Sequence, residues 1–367
     1  MADINVQYFT VANSEIDTII KMGIELTTEA MEKTHTFASE EYANKNGNTK
    51  LAILNFCASK CGMKCPENKR DLVALFSNAT FESLFNTIIA EVQSGVQTRV
   101  TPEGLMALAD VVEVDCGDSY SFEIDTKGLP AVQRASLTTN LSLLDGHAMQ
   151  SITVTPVPYA CSTSLDFIRI LANDYDFGKE MARVARAIMY AQYKAVAGLI
   201  FNTAIAGIAP LYQATFASNN YVKMAETIGA LNNAPVTSYG TLTAWNAISA
   251  LATQGGFTTK DDYIRNGFLQ KIYGVDSMVI DNMADLSAPL SSTLAAVQLG
   301  IPTNVIVMAS GVGDKPVKLV RENYVRVQKG DPNGASLNRI TYKYFASWDA
   351  AIATQAHFGV QNTTAAG

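Results

Sequence analysis

The sequence predicts an α+β fold, and three observations predict it. A helical hydrophobic period runs unbroken from about 174 to about 203. Strict apolar–polar alternation marks two short segments, 119–124 and 151–157, on either side of a poorly hydrophobic stretch. Beyond residue 240, helix and strand signals alternate and end in a hairpin pattern.

The first hundred residues read as mostly helical. Ser14 is placed to cap a helix running through Ile16, Ile19 and Ile20 past Met31. Asn44-Lys45-Asn46-Gly47-Asn48 predicts a turn. A second helix is expected over Leu51 to Cys61, ended by Gly62 and Pro66, and helical pieces follow at Asp71–Phe76 and Thr80–Val92.

From about 114 to 163 the texture changes. Ser119-Tyr120-Ser121-Phe122-Glu123-Ile124 alternates as a half-buried strand does, and Ser151 to Val157 alternates again. Between them lie Gly128, Pro130 and Gly146 and few large apolar groups. This pattern predicts a long hairpin with too little core to stand alone, which must rest on another surface of the chain or of a neighbour.

The long helix is capped by Asp174 or Asp176 and reaches about Thr203, on the order of 40 Å at 1.5 Å per residue. Met181, Val184, Ala185, Ile188, Ala191, Ala195 and Leu199 form one stripe, while Lys179, Arg183, Arg186, Tyr190 and Lys194 lie opposite. Gly178 costs about 1 kcal/mol there, but the phase holds over roughly seven turns.

In the remainder, Leu242–Leu251 reads as a helix stopped by Gly255-Gly256, and Lys271–Ile280 as one strand. Asn304–Ala309 reads as a buried strand. Tyr324–Gln328 and Arg339–Tyr344 form a hairpin around Asp331-Pro332-Asn333-Gly334.

Composition limits what such a fold can do. At 367 residues the chain is long enough for two to three domain-sized units, and 48% hydrophobic content excludes disorder. A net charge of −7 argues against sequence-specific nucleic-acid binding, though not against enclosing nucleic acid. The N-terminus has no basic region followed by an apolar one, so no secretory leader is expected. Ala195–Ala217, interrupted by Gly207 and Pro210, is a poor membrane span. The five cysteines read as reduced thiols. Cys57, Cys61 and Cys65 recur every fourth residue, but no histidine lies nearby to complete a zinc site, so they read as small buried hydrophobes.

No catalytic constellation emerges. His35, His147 and His357 belong to no metal or hydrolase motif. Ser310-Gly311-Val312-Gly313-Asp314 holds half of a dinucleotide fingerprint, yet Pro316 stands where a third glycine is needed, so the segment reads as a turn. The cationic helix face is suited to phosphates without sequence preference. An ordinary solvated face explains it more simply.

The order of these parts resembles the Hong Kong 97-type fold of tailed-bacteriophage major capsid proteins: strand-bounded loop, long amphipathic helix, mixed compact region, C-terminal hairpin. The resemblance runs from about Ser119 to Val360, about two-thirds of the chain. Its most suggestive segment is Arg265–Asn282, similar to the stretch leading into an axial-domain strand. Val325-Arg326-Val327 and Arg339–Tyr342 resemble the paired strands of a peripheral domain.

The resemblance implies an N-terminal, largely helical arm over 1–117 and an extended loop over 118–162. It implies a peripheral domain with its spine helix over 163–234, an axial domain over 235–322, and a peripheral hairpin and tail over 323–367. It implies a non-enzymatic shell subunit without cofactor, residing in the virion and assembled in the host bacterial cytoplasm. Its partners would be many copies of itself as pentamers and hexamers, portal, scaffold and decoration proteins, and enclosed double-stranded DNA bound non-specifically, with no membrane. Loop contacts between subunits would fall on Lys127, Leu129, Arg134, Leu141 and Leu144. Lumen-facing basic residues would be Lys179, Arg183, Arg186 and Lys194. A crosslink of the kind one relative forms would join Lys127 to Asn362. An encapsulin-like nanocompartment shell and a soluble α+β enzyme with an unrecognised site are the alternative readings.

Overall fold

The structure is a computed structural model that describes residues 14–32, 40–99, 105–125, 149–166, 176–201, 211–213, 216–252, 268–284, 299–310, 314–330, 339–353 and 357–363. In chain order, the N-terminal helices are α1 (Ser14–Glu32), α2 (Glu40–Lys60), α3 (Lys69–Phe76) and α4 (Ala79–Arg99). Strands β1 (Ala109–Val114), β2 (Tyr120–Asp125), β3 (Met149–Val154) and β4 (Val157–Asp166) precede the long helix α5 (Phe177–Gly198). Then come β5 (Leu211–Gln213), α6 (Ser218–Asn232), β6 (Val236–Gly240), α7 (Leu242–Ala252), β7 (Lys271–Ile272) and β8 (Val275–Val279). The chain finishes with β9 (Val305–Ser310), β10 (Val317–Glu322), β11 (Arg326–Gly330), β12 (Arg339–Ile352) and β13 (Gly359–Asn362). It divides into two compact units, each assembled from three chain segments.

The first unit comprises 1–101, 158–189 and 322–347. Its helical layer packs α1 against α4 at very short range: a Cβ on Gly23 would lie 2.6 Å from Val92 Cγ2, and one on Gly95 would overlap Ile24 Cδ1. Glycine is needed there for close approach of the helices. The turn expected at Asn44–Asn48 does not form, because these residues lie inside α2. Tertiary contacts overrule local propensity. Tyr42, Ile53, Leu54 and Phe56 are buried, and the Asn46 side chain bonds to another helix. Helix α2 ends as expected near Gly62, which has φ +67; the amide of Met63 donates to the Ala58 carbonyl and that of Gly62 to Ser59, a Schellman ending. Asn68 caps α3 and Asn78 caps α4. Helix α4 continues past the expected Val92 to Arg99, with Val92, Gln93 and Val96 buried. Phe76, Phe81 and Phe85 cluster at its start, and Phe85 reaches Tyr342 of β12 at 5.8 Å between ring centroids. Strand β11 pairs antiparallel with Thr341–Phe345 of β12. The amide of Val325, just before β11, donates to Ser94 Oγ of α4 at 2.9 Å.

The second unit comprises 102–157, 190–321 and 348–367. Strand β10 pairs with β1 and with Trp348–Ile352 of β12. A six-stranded sheet runs in the order β5-β13-β9-β6-β8-β7. Helices α6 and α7 cover one of its faces through Tyr221, Met224, Ile228, Trp245 and Ile248, packed on Ile306 and Met308 of β9. The single strand expected over Lys271–Ile280 is instead the hairpin β7–β8. Tyr273 and Gly274 have φ +49 and +85, the backbone of a type I′ turn, which reverses the chain within two residues. Strand β8 then runs parallel to β6.

Candidate functional site

The stem of the extended loop is an antiparallel pair in register from Tyr120↔Val154 to Asp125↔Met149. Alternation fixes which side chains face inward. Phe122 and Val154 pack on Val320 of β10, with Val112 and Val114 of β1 alongside, and Ile124 packs on Ala353. Ser121 and Glu123 face outward, and Ser121 and Thr153 share a hydroxyl–hydroxyl bond of 2.6 Å across the stem. Tyr120 is 41% exposed with its ring edge-on to Phe122, and Val157 at the start of β4 is 48% exposed. Lys127, Leu129, Arg134, Leu141 and Leu144, the expected loop contacts, lie outside the described residues.

Beside the stem is a groove of about 710 Å³ lined by Asp110, Tyr120, Phe122, Glu123, Asp314 and Lys318, among others. Lys318 is only 2% exposed, although its side chain carries a charge. A buried ammonium must be paired. Its Nζ donates to Asp110 Oδ2 and to Asp314 Oδ1, the latter at 3.3 Å, and stands 5.5 Å from the centre of the Phe122 ring. Three residues on, and so on the opposite face of β10, Arg321 donates to Glu113 Oε1 at 2.6 and 3.1 Å. Two ion pairs thus join β1 to β10, and the Lys318 pair is the one on the stem side. The sequence reading missed this site, because its charged residues are 208 positions apart. The signal was Lys318 and Arg321 set among Val317, Leu319 and Val320.

Helix α5 is capped by Asp176, whose Oδ1 accepts the amide of Lys179 and the hydroxyl of Tyr42. Asn46 Oδ1 accepts the amides of Phe177 and Gly178. A Cβ at Gly178 would lie 2.5 Å from the Tyr42 hydroxyl and 2.9 Å from Leu26 Cγ, which explains the glycine near the helix start. Of the expected stripe, Met181, Val184, Ala185 and Ile188 are buried; beyond them burial passes to Met189, Gln192, Tyr193 and Val196. Around the cationic face, Lys179 pairs with Asp176 at 3.3 Å and Arg183 with Glu180 at 3.1 Å. Arg186 donates to the carbonyls of Ala30 and Met31 at 3.0 and 2.7 Å, closing the C-terminus of α1. Lys194 is exposed. Lys179, Arg183 and Arg186 therefore have specific protein partners.

Cys57 is fully buried, and loss of solvent pushes its thiol up to about 12. Cys61 and Cys65 are half-buried. Among the described residues, no group of three or more His, Cys, Asp or Glu is placed to hold a metal ion. Among them, too, no single helix is long and apolar enough to cross a membrane. His35, His147 and Gly311–Gly313 lie outside the described residues, while His357 adopts φ +41 and Asn362 Oδ1 accepts from Asn304 at 3.1 Å.

No family model and no curated protein matches the chain. Among solved structures, the capsid of an empty GTA particle computed with C5 symmetry is similar at 17% identity. That likeness covers 71% of this chain and 89% of that one, with a TM-score of 0.50. The capsid of the native GTA particle is similar at 16% identity, with the same coverage and TM-score. At such identities the likeness establishes the fold, which is the capsid-shell fold that the order of elements resembled.

Proposed function

We propose that this chain is a major capsid protein that self-assembles into the icosahedral head shell of a tailed bacteriophage and encloses its genome. The observation that carries the reading is the capsid-shell fold shared with the GTA particle subunits over 89% of their length. The role is geometric and not catalytic. A shell subunit needs edges that meet several copies of itself in both five- and six-fold surroundings. Each contact can be modest, because simultaneous contacts with several neighbours reinforce one another. The total buried per subunit should exceed the roughly 1,600 Å² of a standard protein pair.

In this reading residues 118–162 form the extended loop, with Lys127, Leu129, Arg134, Leu141 and Leu144 touching a neighbouring subunit. The exposed Tyr120 and Val157 at the loop's base fit a surface completed by another copy. The peripheral domain spans 163–234 and 323–367, the axial domain spans 235–322, and 1–117 is an elaborated arm. Lys179, Arg183 and Lys194 would present the lumen with positive charge for non-specific DNA contact, while Arg186 is engaged with α1. Portal, scaffold and decoration proteins are the further partners of such a shell, formed in the host cytoplasm and carried in the virion.

Size-exclusion chromatography followed by negative-stain microscopy tests the proposal. Purified protein should yield closed shells or capsomers. A small monodisperse oligomer that forms no shell under any assembly condition would overturn it and favour the enzyme reading. Shells that contain a host enzyme and have no portal vertex would favour the nanocompartment.

A further inference from the structure

The buried lysine beneath the loop stem is in more than an ion pair. We propose that Lys318 and Asp110 become joined after folding by an amide bond between Lys318 Nζ and Asp110 Cγ, an internal crosslink between β10 and β1. Lysine is among the residues least often fully buried, yet Lys318 is 2% exposed with its amine against the Asp110 carboxylate. A second carboxylate, Asp314, stands 3.3 Å from the same nitrogen. The Phe122 ring covers the group from the stem side. The backbone amide of Lys315 approaches Asp110 Oδ2 at 3.4 Å, and the Lys315 ammonium is turned away to the Ala109 carbonyl at 3.2 Å.

Each part has a chemical task. A proton passing from the ammonium to the Asp110 carboxylate leaves a neutral amine beside a carboxylic acid. The amine attacks Cγ and a C–N bond forms. The Lys315 amide steadies the negative charge that gathers on Oδ2. Asp314 takes a proton from the nitrogen and returns it to the departing hydroxyl. The C–O bond breaks and one water leaves through the groove. Ammonium plus carboxylate gives amide plus water, so the step needs no oxidant or other reactant. Folding supplies the proximity, which in well-oriented intramolecular reactions replaces very high reactant concentrations. The neighbouring Arg321–Glu113 pair has no such outcome, because a guanidinium is not deprotonated in proteins.

The test is the intact mass of the full-length chain under denaturing conditions. Folded wild-type protein should be lighter than its sequence by one water, and digestion should release a joined peptide containing Asp110 and Lys318. Lys318→Arg keeps the cation and should restore the full mass. Asp314→Asn should slow the loss of water by roughly 10²-fold or more, with both masses resolvable in a time course after refolding. Full mass in folded wild-type protein would overturn the proposal. So would a water loss that persists in Lys318→Arg, since that would assign it to a succinimide at Asp145-Gly146.

Discussion

The helical layer α1–α4 and the loop stem β2–β3 handle their surfaces in opposite ways. In the layer, side chains from one element finish another: Asn46 caps α5, Arg186 closes α1, and Ser94 takes the amide of Val325 before β11. Glycines at 23 and 95 let apolar side chains fill the crossing of α1 and α4. The stem is anchored by a few apolar residues over the Lys318 network and leaves Tyr120 and Val157 exposed. A region whose contacts are complete within its own chain tolerates little change. A region that keeps apolar surface outward can change without unfolding, and the cost falls on whatever it docks against.

The widest separation should come from replacing 126–148 with a two-residue Asn-Gly turn, which suits a two-residue hairpin. The subunit should keep its denaturant midpoint and yet form no closed shells by microscopy. Normal shells from this variant would erase the distinction between the two regions. Next, Phe81→Ala opens a cavity in the helical layer and should cost about 3–5 kcal/mol in urea unfolding of dissociated subunits. A loss below about 1 kcal/mol would mean that the layer is not part of the cooperative unit.

Asn46→Ala is smaller, but its sign is informative. Helix propensity alone favours alanine by about 0.6 kcal/mol, whereas loss of the cap on α5 costs about 1 kcal/mol. A small net destabilisation is expected, and a more stable variant would refute the capping role. The last test concerns thiols. Native labelling at pH 8 should modify the exposed Cys116, which lies just before the stem, while Cys57 reacts only on unfolding. The folded state holds the Cys57 proton up to about 12, whereas the unfolded thiol releases it near about 8.5. Stability should therefore fall as pH rises across that window, and less steeply in Cys57→Ala. Equal slopes in the two proteins would remove Cys57 as the cause.

Residues with a local period were legible before the fold was known. Helix α1 from Ser14, the alternation of β2, helix α5 from Asp176 and the buried β9 stand where their patterns put them, while the alternation read over 151–157 is divided between the end of β3 at Val154 and the start of β4 at Val157. Elements without a local signature were not read: α6, β13, and the strands β1 and β10 that carry the Lys318 network. Asn44–Asn48 misled because its asparagines stabilise another helix, and Lys271–Ile280 misled because Tyr273 takes a positive φ that its side chain does not announce.

By itself the sequence determined the elements that carry a periodic pattern, which face of each is apolar, and the order of parts that resembles a capsid subunit. Side-chain spacing along the chain sets these, and each is complete within a few residues. Only the tertiary structure decided which distant groups meet, such as Asn46 with the start of α5, or Lys318 with Asp110 and Asp314. Those meetings depend on how elements stack. The energy of stacking is shared among many weak contacts, so no single residue encodes its partner.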